Sequence, residues 1–221
     1  MPIKKYLTFI GPIAAGKGTQ AERISHKYGF LHISTGHIFR DEMKNNTELG
    51  NKIRNIMDNG FLVPDEITNN IVRDLLGRID LAKGFIFDGY PRTLNQAEVL
   101  DEMLASRRIA LDAVIKIEIS EAEIIRRLSG RFTCVKCGQN YHDTDMRPKT
   151  DGVCDMCGGR EFVRRADDKP EVIKNRLKIY HAEIDPIVEF YRKKGLIFEI
   201  DGTTLGADNV TKRIEEIIES A

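Results

Sequence analysis

In the stretch FIGPIAAGKGTQ, residues 9–20, Gly11, Gly16 and Lys17 stand at the spacing of a loop that wraps phosphate in backbone amides. In the pattern G-x-x-x-x-G-K-[ST] a hydroxyl follows the lysine. Here Gly18 follows, and Thr19 arrives one residue late. The flanks favour an anion site over a bare turn. YLTFI (6–10) reads as a buried strand, and GTQAERISHKYG as a helix with Ala21, Ile24 and Tyr28 on one side. A strand–loop–helix of this kind aims the donors of a helix N-terminus at phosphate, with Lys17 reaching the terminal oxygens. A lysine in an otherwise uncharged glycine turn has little structural use. Such a site needs an acid at a strand end for magnesium or its waters. Asp88, after Phe85-Ile86-Phe87, is the candidate, a simple strand-ending turn residue being the alternative.

A second chemistry is written in the cysteines. Cys134 and Cys137 in CVKCG, and Cys154 and Cys157 in CDMCGG, form two C-x-x-C pairs separated by 16 residues. This is the spacing of a four-thiolate zinc site, with a glycine after each pair to turn backbone amides toward sulfur. All four ligands are protein thiolates, so no position is left for a substrate and the metal is structural. Disulfides, unrelated free thiols and an iron centre on the same ligands are the competing readings.

The elements that must position these groups follow from hydropathy. YLTFI (6–10), FLHI (30–33), GFIFD (84–88), AVIKIEI (113–119) and LIFEI (196–200) read as short buried strands separated by amphipathic helices. That alternation predicts an α/β fold with a parallel sheet covered on both faces. Val210, Ile214, Ile217 and Ile218 form one stripe of a last helix with Asp208 as its N-cap, and Pro186 is expected to kink or interrupt a long helix from about Pro170. Two regions break the alternation. Residues 34–63 are polar and helical, and 131–168 are too poor in apolar residues to build a core of their own.

The 221 residues carry 34 Lys+Arg against 34 Asp+Glu, 41% hydrophobic and 31% charged. This is a globular composition without the net charge that drives non-specific nucleic-acid binding. The N-terminal apolar run is brief, broken by Gly11-Pro12, and runs into Lys17, which suits a strand better than a secretory signal. No run reaches the roughly 18 apolar residues of a membrane span. A cytoplasmic protein is expected.

The motifs GKGTQ, STGHIFR, FLVPDEIT, FDGYPRT, RLSGRFTCVKCG and RRADDKPEVIKNRL occur in the order seen in adenylate kinases, and the chain resembles the type with a long, zinc-binding lid along essentially its whole length. In that family glycine regularly follows the loop lysine, so Gly18-Thr19 supports the likeness. The resemblance implies a P-loop NTPase-type five-stranded parallel sheet flanked by helices. The core would comprise 1–33, 64–130 and 169–221, with a helical NMP-binding insert at 34–63 and a zinc-stapled lid at 131–168. It implies a monomer that transfers phosphoryl reversibly from magnesium-bound ATP to AMP, giving two ADP.

The site residues implied are these. For ATP they are Ala14, Ala15, Gly16, Lys17, Gly18 and Thr19 of the loop, Arg127 and Arg131, Asn140 and Tyr141, and Thr204. For AMP they are Thr35, Gly36 and Arg40, Phe61, Leu62 and Val63, Gly89, Tyr90 and Arg92, and Gln96. Arg165 and Arg176 would surround the transferring group, with Asp88 organising magnesium and the cysteines holding structural zinc. The chemistry agrees independently. The nucleophile is a phosphate oxygen, already anionic, so no general base is needed. The protein must supply alignment, cations and exclusion of water. Arginine suits this because its planar fork binds phosphate bidentately.

Ile13 and Ala14 replace the Pro and Gly usual in this loop, and His37 replaces the usual Asp of STGD. Ala14 is expected to keep an ordinary φ and the loop its shape. His37 is expected either to be tolerated in the first turn of a helix or to leave Asp88 alone at the metal. Pro64 and Tyr90 are milder changes, Pro64 suiting the start of the helix that follows. The other readings are a kinase of another nucleoside monophosphate such as UMP or CMP, a catalytically impaired nucleotide binder, and a zinc-ribbon nucleic-acid binder.

Overall fold

The computed structural model describes residues 3–220. The outermost ends of the segments expected to form the core, residues 1–2 and 221, lie outside the described residues. Among the described residues eight strands and eight α-helices follow one another: β1 (Tyr6–Ile10), α1 (Lys17–Tyr28), β2 (Leu31–Ser34), α2 (Thr35–Lys44), α3 (Glu48–Asp58), α4 (Asp65–Leu76), β3 (Phe85–Asp88) and α5 (Leu94–Ala105). There follow β4 (Ala113–Glu118), α6 (Glu121–Ser129), β5 (Arg131–Cys134), β6 (Asn140–His142), β7 (Phe162–Val163), α7 (Pro170–Arg192), β8 (Ile197–Asp201) and α8 (Ala207–Glu219).

The five strands expected from hydropathy make one sheet in the order β2-β3-β1-β4-β8, every pair parallel. Parallel strands buried on both faces need continuous apolar runs, which explains why these segments do not alternate. Leu7, Phe9, Ile86, Ile115 and Ile117 meet α1 and α8 on one face, where Val210, Ile214, Ile217 and Ile218 form the expected stripe. Phe85, Phe87 and Val114 meet α4, α5 and α7 on the other. The register pairs Phe9 with Asp88 and Ser34 with Asp88, so the ends of β1, β2 and β3 converge at one level.

Two local expectations are corrected. Asp208 lies inside the first turn of α8, where it pairs with Arg23 at 2.7 Å, and Gly206 occupies the N-cap position. Pro186 does not interrupt α7, which runs unbroken from Pro170 to Arg192. The missing N–H leaves the Ala182 carbonyl without its helical donor. Burial of Ile184, Ile187 and Val188 on the core side keeps the helix in place.

Residues 34–63 form α2 and α3 without a strand. Ser34 and Thr47 cap these helices by accepting from the His37 and Gly50 amides. Residues 131–168 hold a three-stranded antiparallel sheet, β6-β5-β7. This segment has a little more cohesion than its composition suggests. Phe132, Tyr141 and Phe162 pack ring to ring at 5.5–5.7 Å beside the buried sulfurs of Cys134 and Cys154. Among the described residues no helix is long and apolar enough to cross a membrane.

Candidate active site

The sheet's carboxyl edge opens into a cavity of about 1020 Å³, roofed by 34–63 on one side and 131–168 on the other. That is the upper end of the ~300–1,000 Å³ range of small-molecule sites. Every residue proposed from sequence for nucleotide contact lines it except Tyr90.

The loop after β1 keeps an open form. Gly16 caps α1 in the left-handed region without any side chain accepting from the first turn, so the helix begins with free donors facing the cavity. Lys17 folds back across the loop, donating to the carbonyls of Gly11 at 2.8 Å and Pro12 at 2.6 Å. Burial pushes its ammonium down to about 7; Asp88 opposes this, while Arg92, Arg176 and Arg131 add to it. Gly18 approaches Asp88 closely, since a Cβ there would stand 3.2 Å from the carboxylate Oδ2. A side chain at that position would crowd the acid.

Ala14 is corrected. Its φ is +60°, in the left-handed region, which costs an L-residue with a Cβ about 1 kcal/mol. The conformation persists because Ile13 and Ala14 pack against Ile124, Leu128, Ile173 and Leu177. Arg127 also donates to the Ala14 carbonyl at 3.2 Å.

Asp88 would be raised by burial, but the proximity of His32 and the charges of Lys17 and Arg92 outweigh that and hold it below its ordinary value. His32 Nε2 lies 3.6 Å from it, a neighbour that sequence reading missed. A buried, ionised carboxylate beside a phosphate-type loop fits magnesium. That ion takes one or two protein carboxylates and fills its remaining positions with phosphate oxygens and water.

Six arginines, Arg40 among them, converge on the cavity from separate elements. Arg92 donates through Nε to the Gly89 carbonyl at 2.9 Å, and Arg127 donates to Glu123 Oε1 at 2.6 Å. Arg131 is held by Asp168, with Nε 2.8 Å from Oδ2. Asp167 grips Arg165, with Nε 2.8 Å from Oδ1, and Arg176 at 2.8 Å. Burial lowers Arg92 and Arg131, and pushes Arg40 and Arg176 down to about 9, with neighbouring guanidinium groups contributing. Burial also acts against Arg165, but Asp167 more than compensates and its value is raised. The two aspartates were missed as site residues; the signal is their place in RRADDKPEVIKNRL, one residue after an arginine pair. Arg213 pairs outside the site with Glu216 at 2.6 Å.

On the other side of the cavity Thr35 and Gln96 are both buried at its wall. Thr35 donates to the Gly89 carbonyl at 2.9 Å; Gln96 accepts from the Arg92 amide and donates to Asp65, each at 2.7 Å. Phe61 is exposed and Val63 buried, with Leu62 between them at the wall. Pro64 stands at the N-cap of α4.

Tyr90 is corrected from ligand contact to core. It is fully buried, its hydroxyl donating to Asn69 Oδ1 at 2.7 Å, which seals the turn after β3. Tyr141 reaches the cavity wall, but its hydroxyl donates to Cys154 Sγ at 3.3 Å and accepts from the Asp155 amide at 2.8 Å. Its ring and hydroxyl therefore serve the 131–168 segment. Asn140 bonds Thr133 at 3.0 Å, and Thr204 bonds Asp201 at 2.8 Å.

All four sulfurs lie within 4.8 Å of one another, Cys134–Cys157 at 3.6 Å and Cys137–Cys154 at 3.5 Å. Disulfides would stand near 2.05 Å, whereas tetrahedral zinc–thiolate bonds of about 2.3 Å separate sulfurs by about 3.8 Å. The set fits zinc. Both pairs share one turn: the Cys134 and Cys154 amides donate to Gln139 and Gly159, and the Gly138 and Gly158 amides return to Cys134 and Cys154. Burial would raise the Cys154 thiol, but hydrogen bonds from Tyr141 and from the Met156 and Cys157 amides bring it to about 6, which favours the ligating thiolate.

A family model described as adenylate kinase matches residues 9–196. Proteins named adenylate kinase from Archaeoglobus fulgidus and Enterococcus faecalis are 47% and 49% identical to the chain, each over 96% of it and over 97% and 98% of their own lengths. Another with that name, from Carboxydothermus hydrogenoformans, is 49% identical over 97% of the chain and 96% of its own length. Likeness this close, extending from end to end, leaves one assignment: the chain belongs to the adenylate kinase family, the phosphotransferases that act on nucleoside monophosphates.

Proposed function

We propose that the chain transfers the terminal phosphoryl group of magnesium-bound ATP to AMP, reversibly, giving two ADP. The observation that carries this reading is the convergence of Lys17 and six arginines, from separate elements, on one cavity walled by both 34–63 and 131–168. ATP would lie along Ala14–Thr19 with Arg127, Arg131, Asn140, the Tyr141 backbone and Thr204. AMP would lie along Thr35, Gly36, Arg40, Phe61–Val63, Gly89, Arg92 and Gln96. Arg165 and Arg176 would face the phosphoryl in flight.

No residue needs to remove a proton, because the attacking AMP oxygen is already anionic. Catalysis then consists of alignment and charge stabilisation by preorganised donors. Asp88 would hold magnesium or its waters, the ion supplying charge neutralisation across the phosphates. Water is the competing acceptor. Residues 34–63 as the AMP cover and 131–168 as the zinc-stapled ATP cover would exclude it, closing over a core of 1–33, 64–130 and 169–221. The cavity is complete within one chain, which supports a monomer, and four unbridged cysteines support the reducing cytoplasm.

The test is ADP formation from magnesium-ATP with AMP, UMP, CMP or GMP as acceptor. The expected result is activity with AMP at least tenfold above the others. Equal activity with a pyrimidine monophosphate would overturn the AMP assignment, and no activity with any acceptor would overturn the reaction.

A further inference from the structure

The helix that covers the AMP side also touches the metal turn on the opposite cover. Lys44, in the last turn of α2, donates through Nζ to the backbone carbonyls of Val135 at 2.9 Å and Lys136 at 3.4 Å. Val135 and Lys136 are the two residues between Cys134 and Cys137. Two turns earlier on the same face of α2, His37 lies against Gly138, the glycine that closes this metal turn. A Cβ on Gly138 would stand 2.2 Å from His37 Nε2 and 3.0 Å from Cε1, and Gly138 has a φ of +78°. The Cys137 backbone faces the same ring. One face of α2 thus spans the turn from Val135 to Gly138.

The second metal turn, Cys154–Gly158, has the same backbone hydrogen bonds, and its glycine has a similar φ of +68°. Nothing stands within 4 Å of where a Gly158 Cβ would be. Two metal turns of one design therefore differ in being docked or free.

We propose that His37 and Lys44 are positioning residues for phosphoryl transfer, forming a latch by which α2 closes onto the first metal turn. Neither contact involves a nucleotide. Both join segments that line opposite sides of the cavity, Gly36, His37 and Arg40 on one and Cys137 to Asn140 on the other. The contacts exist only when the covers meet, so they add to the closed population and leave the folded cores unchanged. The metal gains a second consequence. By fixing the Cys134–Gly138 turn it fixes the acceptors that Lys44 uses. The imidazole at position 37 reaches further than the carboxylate usual in adenylate kinases, which gives that substitution a purpose. The latch rests on the adenylate kinase reading of the cavity.

The test uses the zinc-loaded protein and the variants His37→Ala, Lys44→Ala, Lys44→Arg, the double alanine variant, Gly138→Ala and Gly158→Ala. Measurements are KM for AMP, kcat, unfolding temperature, and amide exchange of residues 35–44 with AMP and a non-hydrolysable ATP analogue. The double variant is expected to raise KM about 3- to 10-fold, the scale of one or two lost hydrogen bonds, with kcat within about twofold. Its unfolding temperature stays at the wild-type value and exchange in α2 rises. Lys44→Arg, which keeps donors, restores most of the affinity. Gly138→Ala and Gly158→Ala lower the unfolding temperature alike, because both force an alanine to positive φ, but Gly138→Ala alone shifts KM. Adding His37→Ala to Gly138→Ala recovers part of that shift. Unchanged KM and exchange in the double variant, or equal KM shifts in the two glycine variants, would overturn the latch. A wild type that makes no ADP would overturn the reading of the cavity instead, and α2 exchange would still report on the latch.

Discussion

The two covers over the cavity solve one physical problem in different ways. Residues 34–63 carry an apolar cluster of Phe39, Ile53 and Val63, backed by Met43, Leu49 and Met57 and by Ile67 and Ile71 of α4. This cover lies against a core helix and borrows its apolar surface. Residues 131–168 join the core in sequence at the ends of α6 and α7 and share no apolar cluster with a core helix. Among the described residues their apolar cluster amounts to three rings and three cysteine sulfurs. A segment proposed to swing as a rigid body without a shared core needs a cross-link, and four thiolates around one cation would provide it. The lesson is that attachment to the core decides which cover needs the metal.

The largest effect should come from removing that metal. Structural zinc contributes roughly 10–16 kcal/mol of apparent binding free energy in isolated finger peptides, far beyond what three packed rings supply. Cys154→Ser, or chelation, is expected to abolish amide-exchange protection across 131–163 while α3 keeps its own and α2 loses only what the Lys44 and His37 contacts add, with a lower unfolding temperature. Loss of protection in α3 as well would break the comparison, since it would mean that the two covers share one cooperative unit. The reciprocal experiment is Ile53→Ala. It opens a cavity in the helical cover at about 2–5 kcal/mol, and should raise exchange in α2 and α3 and weaken AMP binding. Metal content should stay at one ion per chain, and a fall in bound metal would contradict independent covers.

A third effect is electrostatic. Lys17 lies at the floor of the cavity that both covers wall, and burial pushes its ammonium down to about 7. A lysine lowered in the folded state is less protonated there than in the unfolded chain between about pH 7 and its ordinary value of 10.5. Its contribution to the stability of the unliganded protein therefore rises with pH across that window and is flat below it. Polyphosphate reverses the shift. Binding of ATP at pH 8 should take up close to one proton, and at pH 6 almost none, measured by calorimetry in buffers of differing ionisation enthalpy. Cys154→Ser, with the metal cover loosened, should take up less at pH 8 because its Lys17 starts better hydrated. Equal uptake in both proteins would assign the burial to the loop and helical cover alone.

The parts legible in the sequence were those whose chemistry demands residue types at fixed separation. The phosphate loop, Asp88 at a strand end and the paired cysteines all belong here, and the five strands followed from their unbroken apolar runs. What was not legible depended on the third dimension. Asp167 and Asp168 act through the arginines they hold, so only their place just after Arg164-Arg165 marks them. Tyr90 stands among polar motif residues, and its burial depends on the turn that brings it over Asn69. Pro186 was read from a local rule that the apolar face of α7 overrides. His37 showed as a departure, but its partner Gly138 lies a hundred residues away in the chain.

The smallest effect concerns the loop beneath the covers, and it ties the loop to one of them. Ile13 and Ala14 pack on α6 and α7, the two helices from which 131–168 is suspended, and not on the helical cover. Ala14→Gly removes a left-handed alanine, a gain of about 1 kcal/mol, but frees the unfolded chain by about 0.4–1 kcal/mol and deletes a packed methyl. These nearly cancel, so the unfolding temperature should move by no more than about 2 °C. Arg127 would still find the carbonyl at position 14, because that bond uses backbone. KM for ATP should therefore hold within about twofold while KM for AMP is untouched. A tenfold loss confined to ATP would show that the alanine's strain, and not merely its packing, positions the loop under the metal-held cover. A loss shared by both nucleotides would show that the loop answers to both covers and that the division between them stops above it.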